Sequence, residues 1–68
     1  MRANVSQLLN VVPFRPFVIV TDSGHRIVVR HSENVAFDPE STTGNCYVIA
    51  DGLMHSLPWA KITCLGTP

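Results

Sequence analysis

Charge is what this chain has least of. Only 15% of its 68 residues are Asp, Glu, Lys or Arg, against roughly a quarter in an average soluble domain. Five basic side chains (Arg2, Arg15, Arg26, Arg30, Lys61) balance five acidic ones (Asp22, Glu33, Asp38, Glu40, Asp51). A net charge of zero exerts no long-range pull on phosphate backbones or anionic lipid. It also lacks the basic excess that usually marks small nucleic-acid-binding proteins. Cysteine is scarce as well: Cys46 and Cys64 are too few for the disulfide framework of a small secreted scaffold. Apolar runs such as Phe17 to Val20 are far too short to span a bilayer. Met1-Arg2-Ala3-Asn4 leads on without the apolar core of a signal peptide. Together these absences point to a cytoplasmic protein with two thiols and no membrane segment.

What the chain does have is apolar side chains, 46% of residues. With so few charges, much of the surface must be neutral or apolar, the first indication of self-association. The length allows a single small domain over residues 1–68. A chain of this size hides only about 60% of the surface its unfolded form exposes, so stability is limited to a few kcal/mol.

The pattern along the chain predicts a helix over residues 4–12, with Asn4 as cap, Gln7 three residues on, and Val5, Leu8, Leu9 and Val12 on one stripe. Two turns cannot hold alone, so this stripe must dock. Pro13 should end the helix, and the two prolines of Pro13-Phe14-Arg15-Pro16-Phe17 should hold residues 12–16 stiff and extended. Phe17–Thr21 reads as a strand apolar on both faces, Asp22-Ser23-Gly24 as a turn, and His25–His31 as the returning strand. On that strand Ile27 and Val29 share one face, and Arg26, Val28 and Arg30 the other. Val35-Ala36-Phe37 can continue or bend it. Asp38–Gly44 is a polar loop of turn-formers, the most mobile part by composition. Cys46–Ala50 and Leu53–Leu57 flank Asp51-Gly52, the strongest hairpin signal present. Pro58-Trp59-Ala60 suits a 3₁₀ turn before a short fifth strand, Lys61–Leu65. The fold class is therefore mainly β, α+β by its N-terminal helix: a curved antiparallel sheet of four or five strands, or a small barrel with SH3-like or Sm-like element order. The expected core is Leu8, Leu9, Phe17, Ile19, Ile27, Val29, Val48, Leu53, Leu57 and Ile62.

Over Pro13-Phe14-Arg15-Pro16-Phe17-Val18-Ile19, Asp22-Ser23-Gly24 and Val29-Arg30-His31-Ser32-Glu33, the chain resembles a family of short uncharacterised bacterial proteins. Their pattern is PFRPF-strand, DG turn, V-x-HPE. The resemblance covers roughly residues 8 to 33. Two departures are Ser23 inside the DG turn and Ser32 in place of the proline. It implies a one-domain β protein in a bacterial cytoplasm and carries no activity, so it assigns no functional residue.

His25, His31, His55, Cys46 and Cys64 are all metal-ligand types, but none has ligand spacing such as CxxC or HExxH. His25 and His31 stand six residues apart, about 20 Å along an extended strand. Nucleophilic catalysis requires Cys or Ser beside an oriented base. Both cysteines fall instead in apolar strands, where they pack as small inert residues. Asp51 and His55 lie across a hairpin. No enzyme, metal or cofactor is therefore expected. For nucleic acid, Arg26 and Arg30 share a strand face with Arg15 just upstream, while Phe14, Tyr47 and Trp59 could stack on bases. Arginines on a solvent face and aromatics in a small core explain the same residues. Protein association is the favoured reading, because a β domain with few charges and an unprotected edge can pair with a copy or a client. The candidate partner-binding residues are Arg15, Arg26, Arg30 and Trp59. Metal analysis of the purified protein should find no stoichiometric zinc; one ion per chain would overturn this reading.

Overall fold

Asn10 decides where the N-terminal helix stops. In the structure, a computed structural model describing residues 1–38 and 44–68, helix α1 spans Arg2–Leu9. The Asn10 backbone N–H donates to the Gln7 carbonyl at 3.2 Å, and its side-chain Nδ2 donates to the Ser6 carbonyl at 2.9 Å. Two carbonyls that a helix end leaves without partners are thereby satisfied. The helix closes three residues ahead of Pro13. It also begins earlier than expected: Met1 is the cap residue, and Asn4 lies inside the first turn. Val5 is fully buried and Leu8 and Leu9 are half-buried against the core, but Val12, expected on the same stripe, is 92% exposed beyond the helix. The chain bends at Val12 and Pro13, so the extended path expected over residues 12–16 is interrupted at its start. Phe14 packs edge-on against Phe17, ring centroids 6.1 Å apart.

Strand β1, Phe17–Thr21, lies between β2 (Arg26–Val29) and β6 (Ile62–Gly66) in an antiparallel sheet. As the central strand it is apolar on both faces, with Phe17, Val18 and Ile19 all buried. The register sets Phe17 opposite Val29 and Ile19 opposite Ile27. The turn after β1 is held by the buried Thr21. Its Oγ1 accepts the His25 N–H at 3.2 Å and meets the Ser23 hydroxyl at 3.0 Å, while Gly24 takes φ +84°.

A second antiparallel sheet is ordered β3-β4-β5: Val35–Ala36, Asn45–Ala50 and Leu53–Pro58. One 3₁₀ turn, Ser32–Asn34, separates β2 from β3, and another, Trp59–Lys61, carries β5 back to β6. The described strands thus number six in two three-stranded sheets, where the sequence suggested four or five in one curved sheet or a small SH3-like or Sm-like barrel. The difference arises at Ser32–Asn34, which turns Val35–Ala36 out of the first sheet and onto β4. Residues 39–43, within the loop expected over Asp38–Gly44, lie outside the described residues. No described helix is long and apolar enough to cross a membrane.

Between the sheets, with β2 beside β4, the core gathers Val5, Phe17, Ile19, Ile27, Val29, Cys46, Val48 and Ile62. Leu57 packs partly against it, whereas Leu53, expected inside, is 63% exposed. Leu53 pairs with Ala50 next to the hairpin turn, where the sheet extends past the core that would cover it. Val5, on the stripe expected to dock, and Cys46, expected to pack as a small inert residue, join the core although neither is among the expected core residues, whereas Cys64, read in the same way, is exposed. In denaturant titrations, Ile19→Ala should therefore cost about 2–5 kcal/mol and Leu53→Ala less than about 1. Equal losses at the two positions would contradict the burial described.

Candidate protein-interaction surface

The Asp51-Gly52 turn governs the second sheet. Asp51 (φ +53°) and Gly52 (φ +75°) are both left-handed, as a type I′ two-residue hairpin demands. Ala50 and Leu53, which flank the turn, are then a hydrogen-bonded pair, and in an antiparallel ladder such pairs alternate with non-bonded ones. The bonded set continues as Val48 with His55 and Cys46 with Leu57. One step further on, the Trp59 N–H donates to the Gly44 carbonyl at 3.4 Å, in phase with that series. On β5 the backbone groups of residues 53, 55 and 57 therefore point to β4, and those of Met54, Ser56 and Pro58 point away. No described strand pairs with that outer edge.

The same alternation sorts side chains. Cys46 and Val48 face the core, while Tyr47, Ile49 and Met54 emerge on the opposite face, 42%, 52% and 71% exposed. Ile49 lies directly opposite Met54, and Tyr47 lies between Ser56 and Ala36. With Asn45 and Pro58, this outer face is built wholly from neutral residues. Asn45 Nδ2 donates to the Ser56 hydroxyl at 3.0 Å across it. Sequence reasoning missed this surface because Cys46–Ala50 is apolar at every position, so period-two alternation gave no sign of which residues face out.

Arg15, Arg26 and Arg30 are all exposed, but the fold does not gather them into one depression. Arg15 borders an open hollow of about 320 Å³ with Leu8, Pro16, Phe17 and Leu65. Arg30 lines another of about 200 Å³ with Val28, His31, Asn34 and Ile49. Arg26 borders neither. Trp59 is half-buried and packs edge-on against Phe37, ring centroids 5.2 Å apart. Phe14 is likewise half-buried, so of the three stacking candidates only Tyr47 stands exposed, on the other sheet.

Among the described residues, no three His, Cys, Asp or Glu side chains form a group able to hold a metal ion. Cys46 is sealed in the core, where burial pushes its thiol up to about 11. Cys64 is exposed on β6. No protein-family model matches the chain, and neither the curated proteins nor the solved structures include a match to it.

Because a thiol reacts as its thiolate and needs access, a maleimide or iodoacetamide pulse near pH 8 should label Cys64 alone in the native protein. Cys46 should label only after denaturation, as peptide mass spectrometry would show. Comparable native rates at both cysteines would contradict the burial of Cys46.

Proposed function

We propose that the protein is a non-enzymatic protein-association module whose contact surface is the outer face and open edge of the β3–β4–β5 sheet. One observation carries the reading: three large apolar side chains, Tyr47, Ile49 and Met54, stand 42–71% exposed on one uncharged face. Scattered apolar residues on a surface are ordinary, but cross-strand neighbours such as Ile49 and Met54 form a contiguous patch of the kind that marks contact sites. Aromatic residues and methionine are the types enriched at interfaces, and charge is depleted at their centres.

The nucleic-acid reading has less behind it. No one hollow gathers its three arginines, and Phe14 and Trp59 are engaged with Phe17 and Phe37. The net charge of zero adds nothing in its favour.

The double variant Ile49→Lys, Met54→Lys tests the surface. Both side chains are exposed, so the melting temperature should change little. Affinity capture with the wild-type chain should retain a partner, whether a copy or another protein, that the charged variant retains at about a tenth or less. Equal retention by a folded double variant would remove this face as the contact surface.

A further inference from the structure

Edge strands in natural proteins are commonly protected by charged side chains, bulges or prolines. Three of the four sheet edges carry such protection or are very short. Arg26 is on β2, β6 is irregular against β1 between Val20 and Thr21, and β3 has two residues. β5 is different: six residues long, paired to β4 in unbroken register, and within a run from Gly52 to Ala60 that contains no Asp, Glu, Lys or Arg. Its single guard is Pro58 at the far end.

We infer that the partner of this surface is a second copy of the chain, joined by antiparallel pairing of β5 to β5 about a two-fold axis at His55. The inference rests on the reading of the β3–β4–β5 sheet as the association surface and names its occupant. The outward groups choose the register. With His55 opposite His55 of the second copy, Met54 of each chain faces Ser56 of the other. Both pairs are hydrogen-bonded ones, giving four N–H···O bonds. Every outward N–H then meets an outward carbonyl, and Pro58 stays outside the paired segment. Centring on Ser56 would also give four bonds, but it sets Met54 against Pro58, which has no N–H to give, so both Met54 carbonyls are left unmet. Centring on Met54 would set Ser56 against Gly52 in the turn, leaving two bonds.

Charge favours a copy over a charged client. Two chains of net charge zero approach without repulsion, and the paired strands β4 and β5 carry no charged residue, Arg30 and Asp51 standing at the rim beside Ile49. The joined sheet would have six strands, with Ile49 and Met54 of both chains on one side. A six-residue strand is about 20 Å long, so edge pairing alone hides less than the roughly 800 Å² per partner of a standard interface. The dimer is accordingly a concentration-dependent one.

Sedimentation velocity on the wild-type chain, from low micromolar to millimolar, should show a monomer–dimer equilibrium. A strict monomer throughout would overturn the inference, while Ile49- and Met54-dependent capture of another protein would leave the broader reading standing. Ser56→Pro removes an outward N–H and none of the backbone bonds to β4, only the exposed side-chain bond from Asn45, and should weaken the dimer about tenfold or more. Retained dimerisation in a variant whose thermal melt shows it folded would overturn the edge pairing.

The register is read by oxidation in a Cys64→Ser background. A non-hydrogen-bonded antiparallel pair sits about 4.5 Å apart at Cα, inside the disulfide range, whereas Met54 and Met54 of the second copy would be about 8 Å or more apart. His55→Cys should therefore cross-link far faster than Met54→Cys. Faster cross-linking at position 54 would overturn the two-fold at His55.

Discussion

Two residues with left-handed backbone, Asp51 and Gly52, hold the second sheet in register. A side-chain period of two means that a slip of one residue would turn Cys46 and Val48 outward and bring Tyr47 and Ile49 into the core. The turn prevents it, because a two-residue loop closed by Ala50 and Leu53 leaves the pairing no freedom. The buried pair Cys46 and Val48, the exposed trio Tyr47, Ile49 and Met54, and the outward amides of β5 are all consequences of that closure. Interior packing then reinforces it, since Val48 shares one cluster with Ile19, Ile27 and Val29 of the other sheet.

The rest of the chain has too little material to cover what the hairpin exposes. Helix α1 has eight residues and uses them on the core, which Val5 enters fully. After β5 the chain leaves the second sheet through the Trp59–Lys61 turn, and β6 completes the first, where the Asp22 N–H donates to the Lys61 carbonyl at 2.8 Å. The Lys61–Asp22 ion pair beside it is solvent-exposed at 3.5 Å and contributes little. Both sides of β1 are thereby paired, while β5 keeps an open edge and the second sheet an apolar outer face. The scarcity of charge evident in the sequence acquires a location here. The uncharged stretch from Gly52 to Ala60 contains β5, whose outer edge no described strand pairs.

Local features were legible in the sequence; long-range ones were not. The strand at Phe17–Thr21, the two hairpins and the 3₁₀ turn near Trp59 follow from β-branched runs and turn chemistry, and the structure has them within a residue or two. The helix was displaced because its stripe can be read through Val12, and nothing in periodicity shows that Asn10 will close the helix by bonding back to Ser6 and Gln7. A two-residue strand such as Val35–Ala36 has no period to detect, so the division into two sheets was not visible. Leu53 was assigned to the correct side of its strand, but burial depends on how far the core reaches, and it ends short of the turn. For the interaction surface, the arginines were correctly read as exposed. Trp59 packs with Phe37, and the neutral face around Ile49 was hidden in a run apolar at every position.

The central claim is that β5 presents unpaired backbone donors to a second copy. Amide hydrogen exchange, resolved by residue and followed over protein concentration, tests it most directly. The account predicts that Met54 and Ser56 exchange rapidly in dilute solution and slow markedly as concentration rises, while His55 and Leu57, bonded to β4, are protected throughout. Rates at Met54 and Ser56 that do not change with concentration would contradict it.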